Sequence, residues 1–288
     1  MSLVRYHTGT IDGIEVFYRE AGDPDNPTIL LLHGFPSSSH MFRNLIASLA
    51  DSYHLVAPDH VGFGQSAMPT IHEFDYSFDN LTAVTEKLID RLGLQRFAIY
   101  IHDYGAPIGL RIASANPERI TAIITQSGNA YVEGFTPFWD ILFAHAKDRA
   151  ANERRVRDYF TADKTYWQYT HGVPADRLDR IAPEAWQLDQ AGLDRKGNDE
   201  IQLQLFWDYQ FNLDGYPKFQ EYFRTHQPPL LVTWGRNDEI FGAAGAEAFR
   251  RDLPDGEYHL LDAGHFALET HGEEISDYIR DFLGRVVR

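Results

Sequence analysis

The chain is predicted to be an α/β protein: a mostly parallel central sheet flanked by helices, with a helical cap inserted before the last two strands. Three observations carry this. Short stretches that are apolar at nearly every position recur along the chain, as strands buried on both faces require. Segments with helical spacing of apolar residues separate them. The alternation lapses once, over residues 131–222, in a stretch rich in Tyr, Trp and Phe and poor in strand pattern.

The first element is a hairpin, because "VRYHTGTIDGIEVFYREAG" alternates around the turn pair Asp12-Gly13. "TILLLHG" (28–34), "HLVAPD" (54–59), "RFAIYIHD" (96–103) and "ITAIITQSG" (120–128) read as buried strands. "SFDNLTAVTEKLIDRLGL" (77–94) is a helix that starts at Ser77 or Asp79 and stops at Gly93. The lapse follows, carrying helical patterns such as "NDEIQLQLFWDYQF". It is a cap rather than an independent domain, since "PLLVTWGRND" (229–238) and "EYHLLDAGH" (257–265) return to finish the sheet. The closing "EEISDYIRDFLGRVV" is a helix with Ile275, Tyr278, Ile279 and Phe282 on one face. The expected division is therefore 1–130 with 223–288 for the core and 131–222 for the cap.

Composition narrows the function. With 288 residues, 43% hydrophobic and 14% aromatic, the chain has ample material for a core. Its formal charge of −16 argues against nucleic acid and anionic membranes as partners. The absence of cysteine excludes a disulfide scaffold, thiolate catalysis and thiolate metal sites. The N-terminus has no signal-peptide h-region, and no apolar run approaches the ~20 residues that cross a bilayer. The expectation is a cytoplasmic monomer or homodimer whose partner is a small-molecule substrate.

Reactive residues in open parallel sheets gather beyond the carboxyl ends of strands. Asp103, Asp238 and His265 occupy such ends, in the order nucleophile, acid, histidine. Asp103 alone would also serve as a helix N-cap, and Asp238 as a turn former. Asp262 is a rival acid, more simply read as a loop cap. The strand preceding that of Asp238 (120–128) offers only Gln126 and Ser127 at its end, which carry no charge, and this favours Asp238. No G-x-S-x-G occurs, and Ile101 stands where its first glycine would be.

The blocks "LLHGFP", "APDHVGFGQS", "IHDYGAP", "WGRNDEIF" and "DAGHFALE" together resemble the α/β-hydrolase superfamily, in its epoxide hydrolase and haloalkane dehalogenase branch. The resemblance spans nearly all of the chain outside the cap. It implies that Asp103 is the nucleophile, with an oxyanion hole from the backbone N–H groups of Phe35 and Tyr104. His33, Gly34, Asp59, Gly62 and Gly64 then shape the loops, and Pro36 is expected to be cis. An aspartate suits a saturated carbon bearing a leaving group: it is ionised at neutral pH, and attack gives an alkyl-enzyme ester. Water activated by His265, itself oriented by Asp238, would cleave that ester. Neither cofactor nor metal is called for.

The resemblance is less complete for the leaving group. Epoxide hydrolases of this branch use two cap tyrosines, and the second matches Tyr209. The first should fall near "FWDILFAHAK", which holds no tyrosine, so Tyr131, Tyr159, Tyr166 or Tyr169 would replace it. Dehalogenases commonly hold halide with a tryptophan after the nucleophile or an asparagine after "HG"; here Tyr104 and Phe35 stand there. The arginine of fluoroacetate dehalogenases is likewise replaced by Tyr104. The expected pocket comprises Tyr209, Trp207 and Trp139, and the expected activity is epoxide-hydrolase-like on an apolar, small to medium substrate. Haloalkane dehalogenation is the alternative, and a non-catalytic ligand-binding relative the second.

Overall fold

Strands β1 (Arg5–Ile11) and β2 (Ile14–Ala21) pair antiparallel around Asp12 and Gly13, whose φ values of 49° and 86° match the twist that a two-residue hairpin turn needs. They open the chain in this computed structural model, which describes residues 3–287. Six further strands follow: β3 (Thr28–Leu32), β4 (His54–Pro58), β5 (Phe97–His102), β6 (Ile120–Gln126), β7 (Leu230–Gly235) and β8 (Glu257–Leu261). The eight-stranded sheet has the order β1-β2-β4-β3-β5-β6-β7-β8, parallel from β4 to β8. The chain moves from β3 outward to β4, then crosses back to lay β5 on the other side of β3. The switch point between β3 and β5 is where such sheets leave a crevice beyond their carboxyl ends.

Alternate residues of the central strands supply two cores. Leu30, Leu32, Ile99, Ile101 and Val232 face one way; Ile29, Leu31, Ala98, Tyr100 and Leu231 face the other. Helices cover both sides: α1 (Arg43–Leu49), α2 (Phe78–Arg91) and α3 (Gly105–Ala115) come early in the chain. The Ser77 hydroxyl accepts from the Asn80 N–H and so caps α2, a contact worth about 1 kcal/mol. Gly93, at φ 70°, follows the end of α2. The reading of β8 as a buried strand needs correction: it is the sheet edge, and only Leu261 in it is buried.

The cap contains α4 (Asp140–Lys147), α5 (Arg149–Arg157), α6 (Ala162–Thr170), α7 (Pro183–Leu193) and α8 (Asn198–Asp208). The next helix, α9 (Asn212–His226), runs unbroken through the expected boundary at 222 and packs on α3. Its Tyr216, Phe219 and Phe223 are buried in the core that α3 and the cap helices share. α10 (Ala243–Ala248) and α11 (Ala267–Val286) complete the core, α11 lying beside α1. Among the described residues no helix is long and apolar enough to cross a membrane.

Candidate active site

Strand β5 is buried at every position and delivers Asp103 to its carboxyl end. There the backbone turns sharply into α3, and Asp103 takes a left-handed φ of 48°. A non-glycine residue in that conformation costs ~1–2 kcal/mol, strain of the kind that clusters at functional sites. The turn is possible because Gly105 lies against β3: a Cβ there would sit 2.1 Å from the Leu32 carbonyl oxygen. Gly34 makes the second close approach, since its Cβ would lie 2.3 Å from the Asp103 side chain. The loop after β3 can therefore present its backbone, and the Phe35 N–H donates to Asp103 Oδ1 at 2.6 Å.

Buried polar contacts hold that loop. His33 Nδ1 meets the Gly34 carbonyl at 3.1 Å, and its Nε2 accepts from the His60 N–H at 3.0 Å. Burial lowers the His33 pKa to about 4, so the ring stays neutral and keeps both contacts. Asp59 accepts from the N–H groups of Ser39 and Gln65 at 2.7 Å each. The Phe35-Pro36 peptide is cis.

Asp238 and His265 arrive from the ends of β7 and β8. His265 Nδ1 meets Asp238 Oδ2 at 2.9 Å, and both side chains are buried. The other carboxylate oxygen, Oδ1, accepts from the N–H groups of Ile240 and Phe241 at 2.8 and 3.1 Å. The Gln126 amide donates to the His265 carbonyl at 3.0 Å, and Ser127 Oγ donates to Asp238 Oδ2 at 2.7 Å. His265 Nε2 is buried and has no hydrogen-bond partner among the described residues. Asp262, the rival acid, accepts instead from the Asn237 amide at the surface.

The charges respond to each other. Burial raises the Asp103 pKa to about 6; the charged form of His265 and the Phe35 and Tyr104 N–H groups oppose that rise, and Asp238 adds to it. Burial pushes His265 down, but the Asp238 charge, its hydrogen bond and Asp103 outweigh this and hold the imidazole above its ordinary value.

Aromatic rings gather around Tyr104, the residue after Asp103, and the predicted pocket residues separate among them. Tyr209 is fully buried, 4.3 Å from the Trp139 ring and 6.0 Å from that of Tyr104. Among the described residues the hydroxyls of Tyr104 and Tyr209 have no partner in hydrogen-bonding geometry, that of Tyr209 lying beside the Tyr216 hydroxyl. Burial raises both phenols well above their ordinary value, and the Asp103 charge contributes to each, so both stay protonated. Trp139 adjoins Tyr209, but its indole N–H already donates to the Ile240 carbonyl at 2.8 Å. Trp207 stands apart from that cluster: it is half-buried, edge-to-face with exposed Phe211 and beneath Arg149. Its place one residue after Phe206 turns it ~100° away around the helix, while Phe206 faces Phe35.

None of the replacement tyrosines offers a free hydroxyl above Asp103. Tyr131 donates to Asp252, Tyr159 to the Phe138 carbonyl and Tyr169 to Asp189; Tyr166 is half-exposed against Trp186. Tyr216 was not anticipated. It is buried on α9, accepts from the Asn129 amide at 3.3 Å and lies near enough to Tyr209 to alter its ionisation. Its spacing of two helical turns from Tyr209 is the signal that would have identified it.

Residues 27–272 match the family described as the alpha/beta hydrolase fold. The chain is 46% identical over 283 residues to an uncharacterized hydrolase, YNR064C, of Saccharomyces cerevisiae, covering 96% of each protein. It is 27% identical over 288 residues to a haloalkane dehalogenase of Mycolicibacterium paratuberculosis, covering 92% of this chain and 86% of that one. The solved haloalkane dehalogenase DatA of Agrobacterium tumefaciens C58 superposes with a TM-score of 0.81 at 20% identity, over 99% of this chain and 97% of DatA, a likeness of fold.

Proposed function

This chain belongs to the α/β-hydrolase family and is a hydrolase, and from that premise we propose that it opens small to medium apolar epoxides through an ester on Asp103. One observation carries the choice of leaving group: two buried, protonated and unpartnered phenols, Tyr104 and Tyr209, stand side by side next to the nucleophile. A departing epoxide oxygen takes up negative charge and needs a proton, which a phenol supplies and an indole N–H does not.

In the first step Asp103 Oδ2 attacks a ring carbon. The new C–O bond forms as the ring C–O bond breaks, and the electron pair leaves on the ring oxygen, which takes a phenolic proton. In the second step His265 Nε2 removes a proton from water, and the resulting hydroxide adds to Asp103 Cγ. The Phe35 N–H, already on Oδ1 at 2.6 Å, is directed at the oxyanion so formed, together with that of Tyr104. Collapse expels the diol oxygen, which takes its proton from His265. Collapse leaves Asp103 as the carboxylic acid, and transfer of its proton to the phenolate restores both groups and completes the cycle.

Carbon–halogen cleavage is the second reading, favoured by the relative named haloalkane dehalogenase. Incubation with styrene oxide and with 1,2-dibromoethane separates the two: diol from the first is expected. Bromide from the second without diol from the first overturns the epoxide reading.

A further inference from the structure

One of the four donors on Asp238 comes from a residue that the triad does not require. Ser127 follows the last residue of β6, the strand beside β7, and its hydroxyl meets Asp238 Oδ2 at 2.7 Å. That is the same oxygen that faces His265 Nδ1 at 2.9 Å. Ser127 is completely buried and takes a φ of 54°, a left-handed conformation that serine rarely adopts. Thr125 Oγ1, donating to the Gly128 carbonyl at 3.0 Å, braces this turn. A buried hydroxyl held in a disfavoured backbone, aimed at one carboxylate oxygen, has a defined consequence for that oxygen.

We propose that Ser127 is a positioning residue for the histidine base: its hydroxyl fixes Asp238 Oδ2 against His265 and limits how strongly the carboxylate holds the imidazole proton. Oδ1 is occupied by the Ile240 and Phe241 N–H groups, so the carboxylate cannot rotate to compensate for a lost donor on Oδ2. Without Ser127 the charge on Oδ2 is shared with no other donor than His265, and pairing with the imidazolium strengthens. An imidazolium held too firmly keeps its Nε2 proton and takes none from water. The titratable groups facing His265 are few. Asp238 and Asp103 supply negative charge, while the His102 ring, 4.6 Å away, is kept neutral by burial; Phe241 and Phe266 are apolar.

The effect on turnover rests on the Asp103 ester proposed above; the effect on the imidazole does not. The test therefore uses two readouts on S127A and S127G. Histidine-labelled NMR follows the His265 titration midpoint, the resonance being assigned by its loss in H265Q. Single-turnover mass spectrometry with styrene oxide follows formation and decay of the ester. In both variants the midpoint is expected to rise by about half to one pH unit, leaving roughly three- to tenfold less neutral imidazole at pH values below it. Ester decay at a pH one unit below the measured wild-type midpoint should slow by the same factor, with ester formation within about twofold of wild type.

Glycine is unstrained at φ 54° and carries the test should S127A fail to fold. A purely structural serine predicts that S127G behaves as wild type, and a midpoint in S127G moving by less than about 0.2 unit, or downward, overturns the assignment. A raised midpoint with no ester from any epoxide would reject the covalent reading and leave the role of Ser127 standing.

Discussion

Phe35 and Asp103 meet across the switch point of the sheet: the N–H of one donates to Oδ1 of the other at 2.6 Å, although 68 positions separate them in the chain. Strand β3 ends just before Phe35 and β5 just before Asp103, and the two strands are parallel neighbours. In the ester mechanism proposed above, the contact leaves Asp103 Oδ2 as the attacking oxygen and Oδ1 as the carbonyl oxygen of the ester. It also explains why this carboxylate tolerates burial, since a charge-assisted hydrogen bond offsets part of its desolvation.

In the proposed mechanism, replacing His265 with glutamine removes the base for the second step alone. H265Q incubated with styrene oxide should accumulate an adduct of one substrate mass on the peptide containing Asp103, with turnover reduced by about 10²–10⁴. Intact and peptide mass spectrometry reads both, and steady turnover without adduct would reject the two-step scheme.

In the proposed mechanism the phenols act in the first step. Y104F and Y209F keep the rings and remove the donors, so each should slow ester formation by about tenfold or more and the double variant by about 10²–10⁴. Rapid-quench measurement of the first turnover is the check. If Y104F leaves that rate unchanged, Tyr104 contributes packing and its backbone N–H but no proton.

The raised pKa of Asp103 makes a stability prediction with a definite sign. Folding moves this carboxyl from its ordinary 3.8 to about 6, so between those values the folded state binds the proton more readily. Its contribution to stability is largest at low pH and is lost as pH rises through that window. At ~1.4 kcal/mol per pH unit, the ionised group costs about 3 kcal/mol above it. D103N avoids that cost and should be more stable than wild type at pH 8 by up to about 3 kcal/mol, with the gap closing near pH 4. Urea denaturation at the two pH values tests this, and an equal gap at both contradicts it. Ester formation by wild type should likewise fall as pH drops through about 6.

A methyl group at residue 34 probes the Phe35 contact from the other side. The Cβ of G34A would lie 2.3 Å from Asp103 Cβ and Oδ1, so either the loop or the nucleophile must shift. We expect activity to drop by at least about 10²-fold, the scale of a lost oxyanion donor, with destabilisation of about 1–3 kcal/mol. Activity within twofold of wild type would show that the loop backbone relaxes without losing the hydrogen bond.

Much of this site is legible in the order of the residues. Asp103, Asp238 and His265 each end an apolar run, and "HGFP" marks the loop that reaches Asp103. The orientation of individual rings is not. Trp139 and Trp207 are equivalent as residue types, but one spends its N–H on the Ile240 carbonyl and the other faces outward. Tyr104 was read for its backbone, whereas its phenol stands free beside Tyr209. The helix at the end of the cap shows a helical period, but only its packing on α3 assigns it to the core.

By itself the sequence determined what depends on neighbours along the chain: which stretches are strands or helices, the turn at Asp12-Gly13, and which residues stand at strand ends. It also determined that an aspartate, and no serine, stands at the end of the strand that leads into α3, the residue on which the proposed ester chemistry rests. The tertiary structure decided which of those ends come together and what each polar atom meets. Ser127, a neutral residue passed over as an acid, became a donor to Asp238 because β6 and β7 lie side by side. Strand order follows from burying both faces of the whole sheet at once, a condition that no local stretch carries.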